Sequence, residues 1–268
     1  MARVDGDADG VRLSGGVQSI ARAFDLLETM ADLGGIVSLS QLASRSGLPV
    51  PTIHRLMRTL LDLGYVRQEP SREYALGPRL VRLGEGASRL VGTWATPYLQ
   101  RVVDAVGEST NLAMLDGYQV VYTAQVPGRH SMRMFTEVGR RVGAHCTAVG
   151  KAMLATLPPE RAAEILRRAG LSRQTEHTIT TAAAMDRELA DIRLRGYAID
   201  DEEQEIGVRC VGVALPGDPT RAAISISGPS TRMTEALIGT AVPLLTKAAV
   251  ALADELDLAG HTARSKVS

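Results

Sequence analysis

Two short helical segments joined by a tight turn at residues 38–62 constrain the fold of this chain more than any other feature. Ser38 or Ser40 can cap the first segment, SQLASRSG, which ends at Gly47. The second segment, PVPTIHRLMRTLLDLG, begins at prolines, whose missing amide hydrogens are not needed in the first turn of a helix. Two helices joined by a turn of about three or four residues that contains a glycine form a helix-turn-helix.

The second of these helices is amphipathic. At about 100° per residue, its aliphatic side chains from Ile53 to Leu61 gather on one face. Such a helix meets base edges in the major groove with polar side chains near its N-terminal end. The opposite face and its flank carry the residues that we predict to contact DNA: Pro51, Thr52, His54, Arg55, Arg58 and Thr59. The alternative is an ordinary solvated face with two arginines.

A predicted β-hairpin follows this helix directly. YVRQ and EYAL are predicted to form two strands joined by a Pro-Ser turn. We interpret this hairpin as a wing and predict that Arg72 at its tip contacts DNA. The whole chain has no net charge, with 30 basic and 30 acidic residues. Residues 38–82, however, carry seven arginines against three acidic residues, which supplies a local, salt-dependent attraction to phosphates.

The segments VQSIARAFDLLE, LSQLASRSGLPVPTIHRLMRTLLDLGYV and YALGPRLVRLG resemble the winged helix-turn-helix and linker of the IclR family of bacterial transcription regulators, a resemblance that extends over about residues 17–258. It implies a ligand-responsive, non-enzymatic DNA-binding regulator, expected to repress a catabolic operon. It also implies a homodimer or dimer of dimers on a pseudo-palindromic double-stranded DNA operator. Paired half-sites make physical sense, because one winged domain makes few contacts.

The chain length suits about two domains, and the fold class is mixed α/β of the α+β type. The segments TNLAMLD and QVVYTAQV are predicted to form paired strands, and MRMFTEVG a third strand. We expect helices to flank this antiparallel sheet, and the resemblance implies that the domain is GAF-like. A helix after Pro97 opens this second domain. The expected divisions are a disordered tail at 1–15, the winged helix-turn-helix at 16–78, a linker helix at 79–94, the effector domain at 95–260 and a tail at 261–268.

Short apolar runs and an acidic, glycine-rich N-terminus predict neither a membrane span nor a signal peptide. Two cysteines make no disulfide framework in a chain of this length. We therefore expect a cytoplasmic protein.

The stretch GAHCTAVGKAM at residues 143–153 resembles a phosphate loop only superficially. His145 stands where that motif needs its first glycine, and Ala152 stands where it needs a hydroxyl. Thr147 can instead cap a helix that starts near Ala148, and Gly150 lets another group approach closely. Free amide groups at a helix N-terminus bind carboxylates well, so the stretch favours a pocket for a small anion.

A small-ligand pocket needs apolar walls with a few placed polar groups. The segments HCTAVGKA, GYAIDDEE, GVRC and AAISISGP match the parts of the family pattern that supply the effector pocket. The predicted effector-binding residues are Met134, Val142, Ala148, Val149, Gly150, Asp200, Val208, Cys210, Ser225 and Ser227. Plain core packing is the alternative for each. A small carboxylate is the expected effector, with glyoxylate-like, ureide and aromatic acids all compatible. Arg133, Arg140 and Arg141 could meet an anion, but surface placement is favoured.

A different class of function is a thiol or metal redox sensor, or a reductase, that uses Cys146 and Cys210. Both could form a redox couple if their Cα atoms lie within roughly 7 Å. Metal-capable residues also occur at His145 and in the acidic run 200–203, but no spacing matches a closed zinc site. We therefore predict no metal and no cofactor.

Overall fold

The protein is described from a computed structural model that covers residues 17–217 and 221–265, with backbone alone at residues 88, 89 and 257–265. The tail predicted for residues 1–15 lies outside the described residues. The chain divides into two units, Met1–Gly84 and Glu85–Ser268.

Local capping signals set the elements of the N-terminal unit. Ser38 forms a capping box, since its hydroxyl accepts from the amide of Gln41 while the Gln41 side chain accepts from the amide of Ser38. Gly47 ends that helix at a φ of 65°, a left-handed conformation that glycine adopts without strain. The elements are α1 (Gln18–Asp32), β1 (Ile36–Val37), α2 (Leu39–Ser46), α3 (Val50–Asp62), β2 (Val66–Gln68) and β3 (Tyr74–Leu76).

The three short strands of this unit form an antiparallel sheet in the order β1-β3-β2. One apolar core lies beneath it, and α3 contributes the buried side chains of Ile53, Leu56, Met57 and Leu60. The face of α3 that the sequence predicts to be apolar is thus the buried one. The helix-turn-helix and its hairpin are confirmed.

The helix after the wing is longer than the sequence predicts. α4 runs without a break from Arg79 to Val106, with Pro97 inside it. A proline inside a helix removes one amide donor and crowds the preceding turn without always ending the helix. The division expected at residues 94 and 95 therefore falls within a continuous helix.

The C-terminal unit is a six-stranded antiparallel sheet in the order β6-β5-β4-β9-β8-β7, with helices on both faces. This confirms the mixed α/β class and the antiparallel sheet. Its elements are β4 (Ser109–Asp116), β5 (Gln119–Val126), β6 (Arg141–Gly143), α5 (Ala148–Thr156), α6 (Pro159–Ala169), α7 (Ala182–Arg195), β7 (Ala198–Asp201), β8 (Val208–Ala214), β9 (Ala222–Pro229) and α8 (Glu235–Ser265).

Strand alternation separates two cores in this unit. On β9, Ile224 and Ile226 face α4 and α8, whereas Ala223 packs with α5, α6 and α7 on the other face. Successive side chains of a strand point to opposite faces, so Ser225 and Ser227 lie on the α5 face. The two serines predicted to bind an effector therefore share one side of the sheet.

Two expectations for this unit need correction. The segment MRMFTEVG at residues 132–139 is not a strand; the third strand of this region is β6, which begins only at Arg141. The final helix α8 continues to Ser265, past residue 260 where the domain was expected to end.

The apolar part of α8 also bears on membrane insertion. Glu235–Leu256 is long and apolar enough to span a membrane by length and composition. Its buried residues recur at helical spacing, from Ile238 through Ala241, Leu245 and Ala249 to Leu252, and pack on the sheet. We interpret α8 as a core helix.

Candidate functional site

The exposed face of α3 carries the predicted DNA-contacting residues. Pro51, His54, Arg55, Arg58 and Thr59 are exposed, and Thr52 is half-buried. The guanidinium groups of Arg55 and Arg58 have no ion-pair partner among the residues that the structure describes. Both charges are therefore free to meet phosphates or base edges.

The wing is a short hairpin whose geometry explains its tip. The Glu69 amide donates to the carbonyl of Glu73, and the Arg72 amide donates to the carbonyl of Glu69. Arg72 adopts a φ of 67°, which a non-glycine residue rarely takes outside such turns. The chain reverses here, and Arg72 stands exposed at the end of the hairpin.

An apolar groove of about 560 Å³ lies beside α3 in the same unit, lined by α1, α3 and the start of α4. Ile20 and Phe24 of α1 line it although each is more than half exposed. Arg55 and Thr59 border this groove as well. The predicted DNA face thus divides into a stripe beside the groove and a stripe with Pro51 and Arg58 away from it.

A small cavity of about 40 Å³ lies on the α5 face of the large sheet. Twelve residues line it. They come from β5, β6 and the segment before it, β7 and the loop after it, β8 and β9: Tyr122, Met134, Phe135, Thr136, Arg140, Val142, Asp200, Gln204, Glu205, Val208, Cys210 and Ser227. Six of the ten predicted effector residues are in this set: Met134, Val142, Asp200, Val208, Cys210 and Ser227.

Strand register brings three of these residues together. Cys210 of β8 lies opposite Ser227 of β9 and opposite Asp200 of β7. The Ser227 hydroxyl also accepts a hydrogen bond of 3.1 Å from the Asn111 amide, which ties it to β4. The polar wall of the cavity is therefore built on paired strands, which hold it rigidly.

Asp200 is the buried carboxyl of the cavity. Its Oδ1 accepts from the backbone amides of Glu203 (2.8 Å) and Gln204 (3.3 Å), which closes the loop after β7. Burial raises the pKa of Asp200 to about 7, and the nearby Glu203 adds to this, against the lowering effects of the backbone amides and Lys151. Near neutral pH the group therefore exists in both protonation states.

Four predicted residues, Ala148, Val149, Gly150 and Ser225, do not line the cavity. All are buried, and the first three form the start of α5, which Thr147 caps by accepting from the Gly150 amide at 3.3 Å. A Cβ on Gly150 would lie 2.3 Å from the Ala144 carbonyl oxygen. The group that approaches Gly150 closely is thus the backbone of Ala144.

Six cavity residues are not among the ten predicted effector-binding residues: Tyr122, Phe135, Thr136, Arg140, Gln204 and Glu205. For Arg140 the sequence allows contact with an anion but favours surface placement, and the side chain is both exposed and part of the lining. Gln204 follows the acidic run and could have been found by its proximity to Asp200. Tyr122 could not, because it reaches this face through a β-bulge. Leu112 pairs with Ala124 and Ala113 with Tyr122, which leaves Thr123 as an extra residue.

The segment that carries Met134 over the cavity is fastened at two points. The Ser109 hydroxyl donates to the Met134 carbonyl at 2.7 Å and accepts from the Gly128 amide at 2.9 Å. Arg232 donates to the Met132 carbonyl at 2.9 Å while it pairs with the buried Glu108. The cavity wall is thus held by Ser109, the first residue of β4, and by Arg232, which the buried Glu108 positions.

The two thiols offer no support for the redox-sensor alternative. Burial raises the pKa of Cys146 to about 12 and also raises that of Cys210, so both remain protonated and poorly nucleophilic. The Cys146 thiol donates to the Gln204 side chain at 3.0 Å. Within residues 17–217 and 221–265, no group of three metal-capable side chains is gathered.

A winged helix-turn-helix together with a cavity-bearing sensor-like domain defines the class of ligand-responsive DNA-binding proteins. Residues 19–70 match the IclR helix-turn-helix domain, and residues 88–254 match the C-terminal domain of bacterial transcriptional regulator IclR. The chain belongs to the IclR family of transcriptional regulators. It is a ligand-responsive DNA-binding regulator, and nothing favours the redox-sensor alternative.

Individual relatives agree with this assignment. The chain is 36% identical over 229 residues to the transcriptional repressor IclR of Escherichia coli, covering 83% of this chain and 84% of that protein. The crystal structure of Thermotoga maritima IclR matches with a TM-score of 0.60 and 32% identity, over 89% of this chain and 98% of that one. An IclR homologue from Microbacterium hydrocarbonoxydans complexed with 4-hydroxybenzoate matches with a TM-score of 0.58 and 25% identity, over 90% and 100%.

Proposed function

We propose that this regulator is a repressor of a catabolic operon that responds to a small carboxylate bound in the cavity of its C-terminal unit. The observation that carries this proposal is the convergence of six predicted effector residues on one cavity. Its walls combine the apolar Met134, Val142 and Val208 with the polar Asp200 and Ser227, a mixture typical of small-ligand sites. The relative complexed with 4-hydroxybenzoate supports an acid as ligand.

The DNA contacts that we propose lie on α3 and the wing. Arg58, His54 and Pro51 are exposed away from the apolar groove, and we assign them to the operator's major groove. Arg72 at the hairpin tip is assigned to a phosphate or the minor groove. Such a regulator works in the cytoplasm, where the chromosome of a bacterium lies.

We infer that a second copy of the chain covers the apolar groove of the N-terminal unit. Ile20, Phe24, Leu63 and Leu83 line it and are 47–58% exposed, a cost in water that an apolar interface would remove. A homodimer would present two recognition helices to a pseudo-palindromic operator. A dimer of dimers would bind two such operator sites in the same way.

A band-shift titration with the DNA upstream of its own gene tests this function. We expect salt-sensitive, sequence-selective binding that a small acid weakens, because an effector must bind the DNA-free and DNA-bound arrangements with different affinity. Binding that is equally strong on unrelated DNA would contradict the operator proposal. Sedimentation of Phe24→Glu beside the wild-type chain tests the dimer, with a shift to monomer expected.

A further inference from the structure

Four arginines lie between the end of β5 and the first residue of β6, and three of them are engaged. Arg129 pairs with Asp104 at 2.6 Å, and Arg141 pairs with Asp116 at 2.5 Å. Arg133 donates to the carbonyl oxygen of His130 at 3.2 Å. The guanidinium of Arg140 has no hydrogen-bond or ion-pair partner in the part of the chain that the structure describes.

Strand geometry explains why Arg140, unlike its neighbour, faces the cavity. Val142 of β6 lines the cavity, and a residue two positions earlier shares its side. Arg141 lies between them and points to the other side, where it meets Asp116. The amide of Tyr122 on β5 donates to the carbonyl of Arg140 at 3.1 Å, so these two residues lie side by side just before β6 begins.

The charge of Arg140 reaches the cavity. Burial raises the pKa of the Tyr122 hydroxyl, and the positive charge of Arg140 opposes this increase. Arg140 is itself exposed while it lines the cavity. Arg140 therefore lies at the rim of the cavity, where it borders both water and the enclosed space.

We propose that Arg140 is the specificity-determining residue of the effector cavity. Its guanidinium binds the carboxylate of an organic acid at the rim. The uncharged remainder of the acid points inward, toward Ser227 and Cys210. This inference rests on the proposed function, in which the effector occupies this cavity. A guanidinium presents a planar fork of donors that matches a carboxylate with two parallel hydrogen bonds.

The negative groups of the cavity agree with a carboxylate at the rim and not deeper. Glu205 is exposed, so water and salt screen its charge. Asp200 is buried at the inner wall, and burial raises its pKa to about 7, so an inner carboxylate would oppose a partly ionised group. A carbonyl or hydroxyl of the ligand meets no such repulsion. The rim also spares the carboxylate most of the cost of losing its water.

The size of the cavity sets which acids enter without rearrangement. Its volume of about 40 Å³ holds only a few water molecules. Met134, Phe135 and Thr136 form part of its wall from a segment without helix or strand, and Phe135 is 74% exposed. Displacement of this wall would admit a larger ligand such as an aromatic acid, with the carboxylate kept at Arg140.

The test compares acids with their amides on the full-length chain by thermal shift and calorimetry. The probes run from glyoxylate to 4-hydroxybenzoate, each beside its primary amide, which has nearly the same shape without the charge. The variants are Arg140→Gln, Arg140→Lys and the matched control Arg133→Gln, an exposed arginine that does not line the cavity. Met134→Trp, which fills the cavity from the loop, reports whether the ligand binds there at all.

We expect at least one acid to bind the wild-type chain and its amide to bind at least about tenfold more weakly, the effect of a lost charge-assisted hydrogen bond. Arg140→Gln should lose the preference for acid over amide, Arg140→Lys should keep part of it, and Arg133→Gln should match the wild type.

Unchanged acid affinity in Arg140→Gln, or amides that bind as well as acids, would overturn the role of Arg140 and leave the cavity assignment intact. Acid binding that survives Met134→Trp unchanged, or no acid binding to the wild-type chain, would overturn the effector-site proposal and this inference together.

Discussion

The charged side chains of α3 and those buried next to the small cavity of the C-terminal unit lie in opposite environments. On α3, His54, Arg55 and Arg58 stand in water and make no ion pairs among the described residues. Beside the cavity, Asp200 is 2% exposed and Lys151 1% exposed, and each is held by several partners. Exposed charges contribute to binding with little effect on folding, whereas buried ones couple binding to stability. Substitutions in the two regions should therefore separate these two quantities.

The largest effect on stability should come from Lys151. Its ammonium pairs with the buried Glu203 and with Glu188 at 3.3 Å. Lys151→Met leaves Glu203 buried without its cation, so we expect a loss of about 3–5 kcal/mol in the free energy of unfolding, measured by urea denaturation. Lys247→Met is the control, since Lys247 is exposed on α8, and it should change stability by less than about 0.5 kcal/mol.

The second effect depends on pH and on Asp200. Its folded pKa of about 7 lies above the ordinary aspartate value of 3.8, so between about pH 4 and pH 7 the unfolded chain ionises this group while the folded chain keeps its proton. The stability that Asp200 contributes is thus full below pH 4 and is lost as pH rises through 7. From pH 4 to pH 7, the unfolding free energy of the wild type should therefore fall relative to that of Asp200→Asn, by at most about 4 kcal/mol.

Asp201→Asn provides the matched comparison for the pH series. Asp201 is exposed, and its hydrogen bond with Arg209 lowers its pKa. Its contribution to stability changes only below the ordinary pKa range of an aspartate. The unfolding free energy of Asp201→Asn, plotted against pH, should therefore run parallel to that of the wild type between pH 4 and pH 7. A flat difference for Asp200→Asn as well would show that Asp200 is ionised throughout.

The third effect tests how closely α5 approaches the sheet. A Cβ on Gly212 of β8 would lie 2.8 Å from the carbonyl carbon of Ala148, which is backbone and cannot turn aside. Gly212→Ala should cost about 1–3 kcal/mol in denaturant unfolding. Gly239→Ala on an exposed turn of α8 meets nothing within 4 Å and should stabilise the protein by up to about 1 kcal/mol. Equal behaviour of the two variants would argue against this packing.

The smallest effect on stability should accompany a large effect on DNA binding. Arg58→Ala should weaken operator binding by about 1–3 kcal/mol in a band shift and lower its salt dependence, with unfolding changed by less than about 0.5 kcal/mol. Arg55→Ala is the comparison, because Arg55 borders the apolar groove. Unchanged operator affinity in Arg58→Ala would contradict the assignment of the α3 face.

Much of the N-terminal unit could be predicted because its signals are local. The apolar spacing of Ile53, Leu56, Met57 and Leu60 determines which face of α3 is buried, and therefore which face is exposed. Ser38, Gly47 and Pro49 mark helix ends through their own backbone chemistry. These properties need no distant part of the chain.

The cavity depended on pairings between strands that are far apart in sequence. Alternation alone would place Tyr122 with Ala124 and Val126 on one face, but the bulge at Thr123 turns Tyr122 to the cavity side. Ala148 and Gly150 match the family pattern, yet they pack against the sheet and against Ala144 outside the cavity lining.

The sequence by itself determined the helix-turn-helix, its exposed arginines and the common face of Ser225 and Ser227, since each follows from a short-range period. Only the tertiary structure decided that Asp200, Cys210 and Ser227 share one cavity wall and that Arg140, not Arg141, stands at its rim. The physical reason is strand register: one residue of slip reverses every side chain, and register is set by the whole sheet.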